Sequence, residues 1–569
     1  VDKHVVIIGA VALGPKVACR LRRINPDVKI TVIDRDSHIS YGGCGIPYFI
    51  GGDVNDIEGL QSTQSHTIRD AKFFKAVKGV DVLTRVEATE IDRRGKKLTV
   101  KHLETGEEQV LEYDKLVIAT GGTPIKPPIP GVDLPGVNIV SNLHHAEAIK
   151  SRMTKGQVGK AVVIGAGAIG IEMAEAMTDL WGIDTTLIEM ADQVLPAALG
   201  KNMAAVVQKQ MEKHGVRVMV SERVTEIKEN KENGSTVVVV GNEEIECDMV
   251  VLSAGIRPNT EFAAKAGLAI GQFGGLIVDR RLRTNDPNIY AGGDCIEIRN
   301  LLSGNNQMMP LGSLANRQGR VIADNINGGH ALFRGTVGTF CIKVFEIGVA
   351  TAGLTYKQAM ASGYNPAVSM ITQADRAHFY PTSKAMYAAL IADRDSRKVL
   401  GIECVGAMGD AVKARVDAVA SVLRFGVDVD DICKIEGGYA PPYASAMDVV
   451  NNVGNVLDNI LDGRNIVTEP VQFLEEWKTN PDAIILDVRD AVQAEPYIEK
   501  YGERWLHIPQ PELPARFAEV PQDKSVFIVC DTGTRSYEGQ VVLRAKGVEN
   551  TVNVQGGLSL VKINDPEFI

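Results

Sequence analysis

Of the eight cysteines, Cys19, Cys44, Cys247, Cys295, Cys341, Cys404, Cys433 and Cys530, two have neighbours suited to sulfur chemistry. Cys44 lies in Ser40-Tyr41-Gly42-Gly43-Cys44-Gly45-Ile46-Pro47-Tyr48, with no second cysteine close by. A lone thiol cannot close a local disulfide, so its oxidised form is a mixed disulfide, a persulfide or a sulfenic acid. Gly45 frees the backbone beside it, and a helix starting there is expected to lower the thiol pKa from ~8.5. Cys530 follows the apolar run Val526 to Val529 and opens Cys530-Asp531-Thr532-Gly533-Thr534-Arg535-Ser536. There is no C-x-x-C pair and no histidine and cysteine cluster at ligand spacing, so no metal site is expected and the cysteine usage is that of a reducing compartment.

The remaining chemistry is phosphate binding. Val5-Val6-Ile7-Ile8 reads as a strand, followed by Gly9 and Gly14, a helix from Lys16 to Ile24, a strand from Lys29 to Ile33, and Asp34. This is the opening of a dinucleotide-binding unit, although Val11 stands where a second glycine would admit the pyrophosphate. A second copy is complete: Ala161 to Ile164, then Gly165, Gly167 and Gly170, a helix through Met177, a strand from Thr185 to Ile188, and Glu189. Glu189 is placed to accept hydrogen bonds from a ribose 2′-hydroxyl, and its charge would repel a 2′-phosphate by roughly a few kcal/mol, which favours NADH over NADPH. Tyr113 to Gly122, with Gly121 in its turn, and Thr284 to Asp294, ending Gly292-Gly293-Asp294, read as buried strands outside that second copy. Two nucleotide folds in one chain suggest a flavin and a nicotinamide face to face, hence FAD and NADH.

The elements that must position these residues fit comfortably in 569 residues, roughly three or four domains. A 45% hydrophobic and 23% charged composition is globular, which excludes a disordered or fibrous chain. The net charge of −10 argues against nucleic-acid and membrane-surface binding and still permits a local basic pocket. No uncharged apolar run reaches the ~18 residues of a membrane span, and the N-terminus resembles no signal peptide, so the expected location is cytoplasmic. Lys16, Arg20 and Arg23 share one face of the first helix, either a phosphate-binding stripe or a solvated surface.

The glycine copies and the YDKLVIATGG and IYAGGD segments resemble the two-dinucleotide-fold flavoprotein disulfide reductases over about residues 1–455. The resemblance implies that Asp294 bonds the flavin ribityl chain and Asp34 the adenosine ribose. The single cysteine in S-x-x-x-C-G-I-P-Y is similar to coenzyme A disulfide reductases and their relatives, the NADH oxidases and persulfide reductases. That likeness adds Ser40 and Lys72 to the basic stripe as candidate coenzyme A contacts. Tyr439-Ala440-Pro441-Pro442-Tyr443 resembles the motif whose first tyrosine reaches the partner subunit's active site, making Tyr439 the candidate proton donor. Phe379-Tyr380-Pro381 replaces a tyrosine pair, Met447 a lysine and Gly43 an asparagine, so coenzyme A is expected to bind weakly. The C-x-x-G-x-R-S loop resembles rhodanese sulfurtransferases, which implies backbone N–H groups around the Cys530 sulfur, an Arg535 that stabilises its thiolate and persulfide, and a short loop exposing both.

The expected fold class is α/β: two Rossmann-like dinucleotide-binding domains for FAD and NAD, an α+β dimerisation domain, and a C-terminal α/β rhodanese-like domain. Residues 1–122 and 284–330 are assigned to FAD, 123–283 to a linker and the NAD domain, 331–455 to dimerisation, 456–468 to a linker and 469–569 to the rhodanese-like domain. The expected activity is NADH-dependent reduction of persulfides, polysulfide or coenzyme A disulfide at Cys44 by an FAD enzyme, with Cys530 carrying sulfane sulfur and the chain forming a homodimer. The alternatives are an NADH oxidase cycling through a sulfenic acid, and a sulfur carrier or redox sensor without fast turnover.

Overall fold

A computed structural model describes residues 3–231 and 234–568. The chain forms two compact units, Val1–Met190 with Glu222–Thr336 and Ala191–Ser221 with Val337–Ile569. Among the described residues no helix is long and apolar enough to cross a membrane.

In the first unit the continuous apolar runs become parallel strands buried on both faces, in one core with helices Leu13–Ile24 and Gly312–Ile326 and the antiparallel strands Val86–Asp92, Lys97–His102 and Glu108–Glu112. Their spatial order is Ile289–Ala291, Lys115–Ile118, His4–Ile8, Lys29–Asp34, Asp81–Thr84. Val5, Val6, Ile7, Val117 and Ile289 are fully buried. The chain builds outward from His4–Ile8 to one side and then returns to the other, so the order reverses between His4–Ile8 and Lys115–Ile118. Ligands bind such sheets beyond the carboxyl ends of the strands at that reversal, and Gly9, Asp34, Gly121, Gly293 and Asp294 all follow those ends. The strand expected over Tyr113 to Gly122 is confined to Lys115–Ile118, and that over Thr284 to Asp294 to Ile289–Ala291. The first helix starts earlier than expected, at Leu13, because Pro15 is tolerated in a first turn. A second parallel sheet runs Asp184–Ile188, Lys160–Ile164, Met249–Leu252, Val137–Ile139, and helix Ala168–Thr178 follows its glycine turn.

The second unit contains an antiparallel sheet in the order Phe340–Val344, Ile347–Gly353, Val399–Gly406, Ala385–Asp393, Pro366–Ala374. A separate parallel sheet runs Val467–Thr468, Thr551–Val554, Val526–Val529, Ile484–Asp487, Trp505–His507. One of its faces is aromatic, with Phe473, Trp477, Tyr497, Trp505, Phe527 and Phe568; the other is aliphatic, with Leu486, Ile508, Leu513, Ile528 and Leu543. Residues 456–468, expected as a linker, are largely structured. The helix Val449–Leu461 buries Val449, Val453, Leu457 and Ile460 along one stripe, which ties it to its own unit. The Gln555 side chain joins the two sheets: its oxygen accepts from Met370 N–H at 2.7 Å and its amide donates to the Val368 carbonyl at 3.2 Å.

In the second unit the Gly200 N–H, just before helix Lys201–Lys213, donates to Glu403 Oε2 at 2.9 Å. Glu403 is only 4% exposed, and its carboxyl is pushed up to about 7 by burial, with the charge of Glu469 adding and the Gly200 bond opposing. The folded protein therefore holds a proton that the unfolded chain releases near the ordinary value of 4.5. The stability this gives is complete below that value and is lost as pH rises through about 7. Glu403→Gln, which keeps an acceptor for Gly200, is expected to melt close to wild type at pH 4 and to gain up to about 3 kcal/mol relative to it at pH 8. Parallel thermal melts at the two pH values measure this, and a difference independent of pH contradicts it.

Candidate active site

The glycines at the strand ends form two cradles. Gly9 has φ +106°, and a Cβ there would lie 2.1 Å from the Ala119 carbonyl oxygen; a Cβ at Gly14 would lie 1.9 Å from the Gly9 oxygen. Gly165 and Gly170 repeat that crowding against Ser253 and Gly165. At Gly167 and Gly121 a Cβ would meet nothing within 4 Å, so at these positions the backbone faces open space. Asp294, in the turn Gly293–Cys295, has its carboxyl pushed up to about 6 by burial alone. Asp34 accepts from Ala10 N–H at 2.6 Å and Asp36 N–H at 2.9 Å, and Glu189 from Ala166 N–H at 2.7 Å, so each strand-end acid is held against its glycine loop.

Cys44 lies in a short 3₁₀ turn, Gly43–Gly45, that leads into helix Ile46–Gly51. The residue is exposed, yet its thiol is pushed up from the ordinary value, first by partial loss of water and then by the Glu172 and Asp294 carboxylates. The lowering expected from a helix start is thus reversed: one turn supplies a single backbone contact, which loss of water, joined by two nearby acids, outweighs. Glu172, on helix Ala168–Thr178, has its own carboxyl pushed up to about 7 by burial and by Glu175, against a hydrogen bond with Tyr48. Sequence reading did not select Glu172; an acid within that apolar helix was the available signal.

Ser40 is buried, holds φ +52°, and donates its N–H to the Ala10 carbonyl at 2.7 Å, so the segment before Cys44 rests on the first glycine loop. A left-handed serine at such a place stores strain. The basic stripe is divided. Arg20 pairs with Asp324 at 2.7 Å, Lys16 is half-buried, and Arg23 and Lys72 are exposed, Lys72 on helix Ala71–Lys78.

In the second unit Tyr439, Tyr443, Phe379 and Met447 are exposed, Tyr443 by 75% and Phe379 by 67%. The Ala377 N–H donates to the Pro441 carbonyl at 3.3 Å, which places the two aromatic loops side by side. Cys530 is fully buried, contrary to the exposed loop expected. The cause is a distant turn: Leu558 N–H donates to the Cys530 carbonyl at 2.8 Å and Ser559 N–H to that of Asp531 at 3.0 Å, so Gly556 and Gly557 lie over the loop. The sulfur accepts from Gly533 N–H at 3.1 Å and lies 3.4 Å from Ser536 Oγ, at the positive end of helix Thr534–Ala545. Arg535 bonds Asp531 at 2.6 Å, and Arg489 and Gln493 bond the same carboxylate at 3.2 and 3.1 Å. The sulfur is therefore met by a backbone N–H donor and by a hydroxyl, with Arg535 directed to Asp531.

Comparison with known proteins agrees with this geometry. Residues 3–319 match the pyridine nucleotide-disulphide oxidoreductase model, 339–449 its dimerisation domain, and 470–564 the rhodanese-like domain. An NAD-dependent persulfide reductase from A. fulgidus superposes with a TM-score of 0.92 at 39% identity, over 98% of this chain and 99% of that one. The reduced CoADR-RHD of Bacillus anthracis superposes with a TM-score of 0.91 at 34% identity, over 100% and 99%. An NADH oxidase of Methanocaldococcus jannaschii is 36% identical over 437 residues, covering 77% of this chain and 94% of its own length.

Proposed function

The chain belongs to the pyridine nucleotide-disulphide oxidoreductase family, and from that membership we propose an NADH-dependent reductase of persulfides and polysulfide that works through Cys44 and carries a sulfur-handling site at Cys530. The family uses FAD and NAD(P)H, and both cradles suit them: Gly9, Gly14, Asp34, Gly121, Gly293 and Asp294 would hold FAD, and Gly165, Gly167, Gly170 and Glu189 the nicotinamide nucleotide. When bound, these cofactors supply the electron pair that returns oxidised Cys44 to its thiolate. The single observation that carries the reading is the exposed, solitary Cys44 among the acids Glu172 and Asp294.

The Cys44 thiolate attacks the sulfane sulfur of R–S–SH. The S–S bond of the persulfide breaks, the departing R–S⁻ thiolate takes a proton, and Cys44 holds the persulfide. Two electrons then release the outer sulfur as sulfide. Tyr439 of a second copy is the proposed proton donor, which requires a homodimer, and its exposure is consistent with that role. Lys16, Arg23, Ser40 and Lys72 are left to contact an anionic substrate such as coenzyme A, while Arg20 is largely committed to Asp324.

Anaerobic NADH turnover with a panel of small persulfides, polysulfide, coenzyme A disulfide and oxygen tests the proposal. Each charged hydrogen bond missing at Gly43 and Met447 costs about 1.5 to 3 kcal/mol, roughly tenfold to a hundredfold each, so kcat/KM for persulfide is expected to exceed that for coenzyme A disulfide by roughly a hundredfold or more. A preference for the disulfide reverses the substrate ranking, and oxygen uptake at the persulfide rate supports an oxidase. Glu189 is half-buried, so its repulsion of a 2′-phosphate is partly screened, to about 2 kcal/mol. NADH is accordingly expected to exceed NADPH in kcat/KM by roughly 30-fold, and equal use of the two contradicts the assignment of Glu189.

A further inference from the structure

One cluster in the first unit combines ligand types that are far apart in sequence. His38, His144 and Glu147 each present a donor atom, and these atoms lie within 4.8 Å of one another. His144 Nε2 is also 2.9 Å from Asp36 Oδ1 and 3.1 Å from Ser37 Oγ. Asp36 and His38 come from the segment after strand Lys29–Asp34, while His144 and Glu147 lie one turn apart on helix Leu143–Thr154 and share a face.

An outer partner fixes the His38 ring. Gln61 is 7% exposed, and its Nε2 donates to the Ile39 carbonyl at 3.1 Å, which leaves its Oε1 facing His38 Nδ1 at 3.3 Å. An amide oxygen only accepts, so Nδ1 carries the proton and Nε2 keeps its lone pair. A metal-ligating histidine is held in this way, with its second nitrogen donating to a carbonyl. His144 Nε2 donates to the Asp36 carboxylate; a cation displaces that proton and takes both atoms. Two neutral imidazoles and two carboxylates carry two negative charges, which one divalent ion cancels. Imidazole with carboxylate suits zinc and its late first-row neighbours, whereas magnesium and calcium take oxygen alone.

We propose that His38, His144, Glu147 and Asp36 form a binding site for a zinc-class divalent cation, which clips the segment after Asp34 to helix Leu143–Thr154. The test uses full-length, flavin-loaded protein carrying Cys44→Ser and Cys341→Ser, so that neither exposed thiol competes, titrated with zinc and separately with cobalt(II). One equivalent per chain is expected, with a cobalt spectrum of nitrogen and oxygen ligation that lacks a thiolate charge-transfer band. Gln61→Ala, which removes only the outer partner, is expected to weaken zinc binding about 10- to 100-fold. His38→Ala and His144→Ala are expected to abolish it with flavin content unchanged, and His144→Gln replaces His144→Ala if that variant loses its flavin. Absence of a bound equivalent, a thiolate band, or uptake that survives both histidine substitutions overturns the proposal.

Discussion

Cys44→Ser is expected to keep its flavin, still reducible by NADH, while persulfide reduction falls by roughly 10³-fold or more. Retention follows from the cradles, whose glycines and acids make no use of the thiol. Loss follows from the nucleophile: a serine hydroxyl is not ionised near neutral pH and cannot hold a sulfane sulfur. The raised thiol pKa sharpens the expectation, because Glu172 and Asp294 oppose the thiolate. The wild-type rate should therefore rise with pH as Cys44 ionises. Rapid-mixing reduction by NADH and steady-state turnover with a small persulfide separate the two halves of the reaction. Persulfide turnover near the wild-type rate in the serine variant would place the chemistry elsewhere.

Cys530→Ala is expected to lower thiosulfate or persulfide sulfurtransfer by a similar factor, roughly 10³-fold, while NADH-linked reduction of small persulfides stays within about twofold. The alanine also leaves Gly533 N–H without its acceptor, a cost of about 1 to 3 kcal/mol in a buried loop. Cys530→Ser, which preserves that bond, controls for it and should lose sulfurtransfer equally. If both activities collapse together in a folded variant, Cys530 is an obligatory relay.

The sequence made some of this structure legible and withheld the rest for identifiable reasons. Val5 to Ile8 and Ala161 to Ile164 read as buried parallel strands because burial on both faces demands unbroken β-branched runs, and the glycines after them mark contacts that no side chain could survive. What escaped were effects of residues brought close only by folding. The thiol of Cys44 is pushed up first by partial burial and then by Glu172, which arrives on helix Ala168–Thr178 after the second glycine turn. Cys530 is buried by the turn at Gly556 and Gly557, and Arg20 is occupied by Asp324.

The central claim is that sulfane sulfur passes through a persulfide on Cys44. Anaerobic protein treated with one equivalent of a small persulfide, alkylated, digested and weighed by mass spectrometry tests it most directly. The account predicts one added sulfur atom on the Cys44 peptide, discharged as sulfide when NADH is added before alkylation. A Cys44 that remains an unmodified thiol while NADH is consumed at the normal rate would contradict it.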